Sequence, residues 1–301
     1  MLELKNEKLA VPVVLFAGLL WSFGPLVVRY MDQPQLVPWQ YIFGRGLTIF
    51  VLLNLYLYFE EGTNFYKNYK KVGKSGLLGG CGLGIAMISF IYSITNTTAA
   101  ITLLCLAAMP FFTALLAFLF LKERISINVW ISIILATIGI IIMALGNTEK
   151  NSVIGFIFGI TSSIGFSVFS VTLRWRKETP KFTTVAIAGL FCFILATIMI
   201  LSKNQPFFAN SYNSSMFSLH GTLVCLGLIL YSIGSKAIPA AELTLLSLTE
   251  VIGGIFWVWL PLFGINEIPS TNTIVGGFFL FVSLTYYSLI MRWNKRYIAL
   301  N

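Results

Sequence analysis

The chain has little charge and almost none of the residues that carry out chemistry. Only 10% of its residues are Asp, Glu, Lys or Arg, and histidine occurs once, as His220. Cys81, Cys105, Cys192 and Cys225 stand apart inside apolar runs, with no metal-ligand spacing, and read as small packing residues. No G-x-x-x-x-G-K-[ST] phosphate loop occurs, since Gly73-Lys74-Ser75 has Asn68 where the first glycine belongs, and direct drive by ATP is not expected. Ser-His-Asp, HExxH and paired-carboxylate constellations are missing too, so the chain does not read as an enzyme. His220 falls near an outer helix end on this reading, which argues against a catalytic or zinc role. No metal or cofactor is expected.

What the chain has in quantity is apolar sequence. Of its 301 residues 57% are hydrophobic, with a mean hydropathy of +0.86, a composition that water does not dissolve and a bilayer does. A spanning helix needs about 20 mostly apolar residues. Ten such runs are present, over 9–29, 38–58, 73–93, 99–121, 127–147, 152–173, 182–202, 217–237, 242–263 and 272–291. The first reads as a true span rather than a cleaved leader. The longest connections, 59–72 and 203–216, leave no room for a soluble domain between spans.

The net charge of +9 invites a nucleic-acid reading, but its distribution does not. With a cytoplasmic N-terminus, sixteen of the twenty Lys and Arg fall on the cytoplasmic side, including the clusters at 67–74 and 174–181. Arg29, Lys150 and Lys203 fall opposite, and Arg45 lies inside a helix. That bias is the positive-inside pattern. It places both termini in the cytoplasm and the chain in the cytoplasmic (inner) membrane, with no nucleic-acid partner.

The stretch AAMPFFTALLAFLFLKERIS, from Ala107 to Ser126, is echoed by SLTEVIGGIFWVWLPLFGINEIPS, from Ser247 to Ser270. Pro110 and Glu250 take comparable places, and Glu123-Arg-Ile-Ser is echoed by Glu267-Ile-Pro-Ser. The chain therefore divides into residues 1–147 and 148–301, five spans each. Five is odd, so the second half enters the membrane in the opposite sense. The expected fold class is an all-α integral membrane protein of ten transmembrane helices, as two inverted five-helix repeats around a central cavity.

Several short blocks, in order, resemble the EamA-like branch of the drug/metabolite transporter superfamily. They are Trp21-Ser22, Phe43-Gly-Arg45, Tyr92-Ser93 with Thr97-Thr98-Ala99-Ala100, and Leu104 through Pro110 to Leu121-Lys-Glu-Arg-Ile-Ser126, then Ile138-Gly139. The resemblance runs over nearly the whole chain, although the second half has Glu250 where the first has its proline. It implies ten helices, cytoplasmic termini, a cavity between inverted halves and transport of a small metabolite, with export favoured over import. It does not imply one substrate.

Arg45 is the sharpest candidate, about 10 Å below the outer surface at 1.5 Å per residue. A charge at that depth costs on the order of 2.5–3.5 kcal/mol, so something compensates it. It either holds a substrate carboxylate or phosphate, or is bound by backbone carbonyls. Glu250 either takes up a proton as a coupling group or braces its helix. Entering from opposite faces, the two do not pair by default. Pro110 is a hinge or a static kink. Trp21, Phe166, Tyr231, Trp257 and Tyr92 offer aromatic walls, and Ser22 and Asn96 polar groups, for a substrate site. Gly76, Gly80 and Gly84, like Gly155 and Gly159, repeat at four residues and read as close helix packing within the chain before a dimer face.

The reading is a secondary transporter for an amino acid or related zwitterion, working by alternating access. Protons are a candidate coupling ion, and the chain acts as a monomer or weak dimer. An intramembrane enzyme on a lipid-like substrate and a non-transporting sensor or scaffold are the alternatives. The first needs clustered His, Asp or Glu, the second an appended soluble domain.

Overall fold

The structure is a computed structural model that describes residues 7–122, 127–145, 150–176, 178–235, 237–238 and 240–300. Among them there is helix and no strand. Lipid offers a backbone no hydrogen-bond partners, so an apolar chain must satisfy its own N–H and C=O groups, and the helix does that within each segment. The echo at Glu123–Ser126, most of the junction between the halves (146–149), and Lys5, Lys177 and Lys236 lie outside the described residues.

The helices run α1 (Glu7–Tyr30), α2 (Pro38–Glu61), α3 (Lys67–Lys71), α4 (Gly73–Asn96), α5 (Ala99–Leu106), α6 (Met109–Leu121) and α7 (Ile127–Leu145), then α8 (Lys150–Trp175), α9 (Lys181–Ser202), α10 (Ser211–Gly234), α11 (Ala240–Leu246), α12 (Thr249–Trp259) and α13 (Thr271–Leu300). Seven segments of the described residues are long and apolar enough to cross a membrane, α5 and α6 counting together. The apolar stretches Trp130–Met143, Leu243–Trp259 and Thr271–Ser283 are shorter than that. Large apolar side chains such as Phe59, Phe120, Ile127 and Ile268 stay exposed on the outside, as a lipid-facing surface requires. The chain is thus an all-helical, multi-pass membrane protein.

Sequence signals set most helix ends. Pro38 opens α2, where its missing N–H costs nothing. Gly62, at φ 65°, closes it. The Thr98 hydroxyl accepts from the Ile101 N–H to cap α5, and Asn210 caps α10 through the Asn213 N–H. That cap starts α10 at Ser211, six residues before the run expected from 217. His220 therefore lies inside the helix rather than at its end.

Two spans are broken in the middle. Between α5 and α6, Ala108 N–H reaches only to the Cys105 carbonyl and Phe111 N–H only to Ala108. Pro110 therefore does not sit mid-helix: it stands in the first turn of α6, just past the break. Hydroxyls from α8 bond carbonyls on both sides of the break, Ser163 donating to Cys105 at 2.5 Å and Ser167 to Met109 at 3.0 Å. The second break, between α11 and α12, has the same tightened turns without a proline: Leu248 N–H bonds Leu245 and Glu250 N–H bonds Ser247. Here Ser247 bonds back to the Thr244 carbonyl at 2.8 Å, and Thr249 to Leu15 of α1 at 3.2 Å.

Packing brings α4 against α8 and α9, α10 against α1 and α2, α2 against α9, and α7 against α13. The broken spans cross, with α5 on α12 and α6 on α11. The small-residue repeats are spent inside the chain. A Cβ on Gly80 would meet Ile187, and one on Gly84 would meet Phe191, both of α9. A Cβ on Gly159 would meet Cys105. Where α2 crosses α9 the backbones touch: Gly46 lies against the Gly189 carbonyl, and Gly189 against that of Gly46.

Candidate functional site

A central cavity lies between α1, α2, α4, α8 and α10 and is floored by the two breaks. Trp21, Arg45, Leu83, Met87, Phe90, Leu106, Met109, Ser162, Phe166, His220, Val224, Leu228 and Glu250 are among its lining residues. Only about 50 Å³ is left in which the centre of a water molecule can sit, so it is a slot rather than a chamber. Occupying it requires the walls to move apart.

Arg45 is 6% exposed, and its Nε and Nη1 have no hydrogen-bond partner. Its guanidinium carbon stands 5.6 Å from the centre of the Phe90 ring. Among the described residues no carboxylate comes within 4.0 Å of it, although Glu250 is near enough to feel its charge. Glu250 opens α12 just after the second break, so its carboxyl meets the cavity at a helix N-terminus. The break explains how two groups from opposite faces reach one cavity.

Of the remaining sequence candidates, Trp21 and Phe166 also line the cavity. The Trp21 indole donates to the Val224 carbonyl at 3.2 Å and packs on Phe166 and Tyr231, and Gly227 leaves room for it. Tyr231 is buried behind it, bonded to Ser170 at 2.8 Å. Ser22 donates to the Leu19 carbonyl and accepts from Trp257 at 3.0 Å, a bond between α1 and α12. Tyr92 stacks on Phe158, and Asn96 donates back to the Tyr92 carbonyl; both stand toward the end of α4, away from the lining. Pro110 sits beside Met109, which lines the cavity.

The structure adds residues that the sequence reading did not place in the site. His220 lines the cavity and shares a hydrogen bond with the Tyr41 hydroxyl through Nδ1. Leu83, Met87 and Phe90 form one face of α4 at helical spacing. Among the described residues no three His, Cys, Asp or Glu side chains come together as metal ligands would.

At the end of the bundle where α1 finishes, one ion pair ties several elements. Arg29 donates from Nε to Glu267 at 2.7 Å, from Nη1 to the Ile94 carbonyl at 2.8 Å and from Nη2 to that of Thr97 at 3.0 Å. The other Glu267 oxygen accepts the Ala99 N–H that opens α5. Arg29 thus serves the C-terminal end of α4, and Glu267 the N-terminus of α5, each with the sign that its helix end favours. The Tyr30 hydroxyl donates to the Phe263 carbonyl at 2.6 Å beside them. Because both charges also serve backbone groups, swapping them as Arg29→Glu with Glu267→Arg is expected not to restore stability. Each single neutral replacement is expected to cost about 1.5–3 kcal/mol, the worth of hydrogen bonds to charged groups. Thermal unfolding in detergent checks this, and full recovery in the swapped protein would reduce the group to a simple ion pair.

A roomier crevice of about 300 Å³ lies between α5, α12 and α13. Its walls, including Leu104, Ile252, Ile274 and Phe281, are almost wholly apolar, and Ile252, Ile274 and Phe281 face outward. It has no group to orient a polar solute, so the smaller central slot is the better candidate despite its size.

Comparison with known proteins agrees with this architecture. The model of the EamA-like transporter family matches residues 8–145. Two Helicobacter pylori proteins, from strains J99 and 26695, each described as an uncharacterized transporter, are 24% identical over 252 residues, covering 80% of this chain and 80% of their own. A solved crystal structure with 16% identity superposes with a TM-score of 0.64, covering 95% of this chain and 99% of that one, a likeness of fold alone. An all-helical apolar bundle with a charged central slot, the chain is a multi-pass membrane protein, similar over residues 8–145 to the EamA-like transporter family and along most of its length to proteins named as transporters.

Proposed function

We propose that this protein is a secondary transporter that carries a small zwitterion, an amino acid or close relative, across the cytoplasmic membrane by alternating access. One observation carries the reading: a cation and a carboxyl, Arg45 and Glu250, line the same slot and do not pair with each other. A buried guanidinium without a partner costs several kcal/mol, and a substrate carboxylate would meet that need. An ammonium group then falls toward Glu250, with Trp21, Phe90 and Phe166 as walls for the rest of the solute.

Two inverted halves, 1–147 and 148–301, make such a site movable. Shifting every span by five maps the packing onto itself: α4 on α8 becomes α10 on α1, α4 on α9 becomes α10 on α2, and α5 on α12 becomes α11 on α6. The paired breaks follow the same relation, which supports the ten-span inverted repeat. The narrow slot and the Arg29–Glu267 tie suit a state closed at the Arg29 end, and opening there would require that tie to part. Export is favoured, on the family resemblance noted in the sequence. Uptake of a labelled metabolite panel by proteoliposomes, with and without a proton gradient, tests the proposal. Transport of no carboxylate-bearing solute would overturn the substrate class.

Orientation has its own test. Cysteines placed at Lys70 and Lys203 in a Cys-free protein are expected to label from inside and outside respectively, because cations crowd the Lys70 side. External labelling at Lys70 in intact cells would overturn cytoplasmic termini.

A further inference from the structure

His220 is buried, it is the chain's single histidine, and nothing in the reading above uses it. It projects from α10 into the slot on the side of Arg45. Phe90 links the two, its ring 6.1 Å from the imidazole centre and 5.6 Å from the guanidinium carbon. We propose that His220 is a second hydrogen-bond donor for the anionic group held by Arg45, with Tyr41 as the positioning residue that fixes which ring nitrogen donates. The inference rests on the reading that a carboxylate binds at Arg45.

The tautomer follows from satisfying buried groups. Tyr41 is fully buried, its ring stacked on Phe217 with centres 4.8 Å apart, and its hydroxyl bonds His220 Nδ1. A buried phenol O–H must donate, and Nδ1 is the acceptor it meets. A neutral imidazole that accepts at Nδ1 carries its proton on Nε2. Gly24 of α1 lets the ring take this position, since a Cβ there would stand 2.7 Å from Nε2. Arg45 therefore offers unpartnered N–H groups and His220 a further N–H on the same slot. A carboxylate, with two oxygens, can use both, whereas an uncharged amide gains far less from a guanidinium.

Histidine occurs once, so protein labelled with 15N in its imidazole reports on His220 alone. The expected result is the Nε2–H tautomer, a shift of that signal on adding L-leucine, and no shift with leucinamide. Tyr41→Phe is expected to lose the tautomer preference. In proteoliposomes His220→Phe is expected to raise the KM for leucine about tenfold, the scale of one hydrogen bond to a charged group. His220→Gln, which keeps an N–H at the ε position, is expected to stay within about twofold. An Nδ1–H tautomer in the wild type overturns the inference. Leucine uptake with an unmoved His220 signal also overturns it and leaves the transporter reading standing. A His220 signal shifted by leucine but not by leucinamide, in vesicles that take up no amino acid, supports the inference and overturns the substrate reading.

Discussion

Arg45→Ala is expected to reduce transport to the level of empty vesicles while the protein still inserts and folds. Arg45 holds an expensive position, 6% exposed with Nε and Nη1 unpartnered, and nothing within the described residues neutralises it. Removing an uncompensated buried charge relieves a penalty of several kcal/mol, so the melting temperature of the empty variant is expected to hold or rise. A residue that only braced the fold would give the opposite, a lower melting temperature. Arg45→Lys is expected to restore less than about a tenth of the rate, because an ammonium lacks the planar fork that grips a carboxylate. Uptake by reconstituted protein and a thermal melt in detergent measure both. Transport at the parent rate by folded Arg45→Ala would end the anchor role.

The second large effect concerns Glu250. Glu250→Gln is expected to keep substrate exchange across the membrane and to lose accumulation driven by a proton gradient. Under the proposed reading of a secondary transporter, which the missing nucleotide loop suits, the driving force is a gradient of substrate or ion. Glu250 opens α12 at the joint between two half-helices, where a change of facing state alters what surrounds the carboxyl. A group protonated in one posture and released in the other links proton movement to solute movement. Glutamine keeps the shape and abolishes the cycle. Vesicles given a pH gradient and labelled solute decide it: equal accumulation by mutant and parent, or a parent indifferent to the gradient, removes Glu250 from coupling.

Much of the helical architecture was legible because lipid permits so few backbone solutions. Apolar length and the one-sided charge marked where helices run, and most ends fell within a few residues. Two ends miss by more, the end of α13, which runs nine residues past 291 to Leu300, and the start of α10, which has a plain cause. Its first eight residues, Ser211 to Ser218, are mostly polar and look like loop, so only the Asn210 cap marks the start. That shift hid His220. The second break was hidden too: proline advertises itself, whereas Ser247 and Thr249 loosen a helix only once their hydroxyls turn to backbone carbonyls. In the site, Arg45 and Glu250 stood out because charge is rare in the chain. Trp21 and Phe166 line the slot with them, whereas Tyr92, Asn96, Ser22, Tyr231 and Trp257 are bonded or stacked to neighbours without lining it themselves. Helix rotation separates the two groups, and composition does not encode it.

The touching glycines of α2 and α9 have one more consequence. Each is preceded by a different residue, Gly46 by Arg45 and Gly189 by Ala188. Two identical halves related by an inverting axis would give an empty carrier no preference between its two sides, since either posture is the other with the halves exchanged. Here one member of the matched pair is a cation and the other a methyl group. The degeneracy is lifted, and about 1.4 kcal/mol of difference is enough for a tenfold bias in which side the empty protein faces. Under the inverted-repeat reading, the resting side of the carrier is a property of that mismatch.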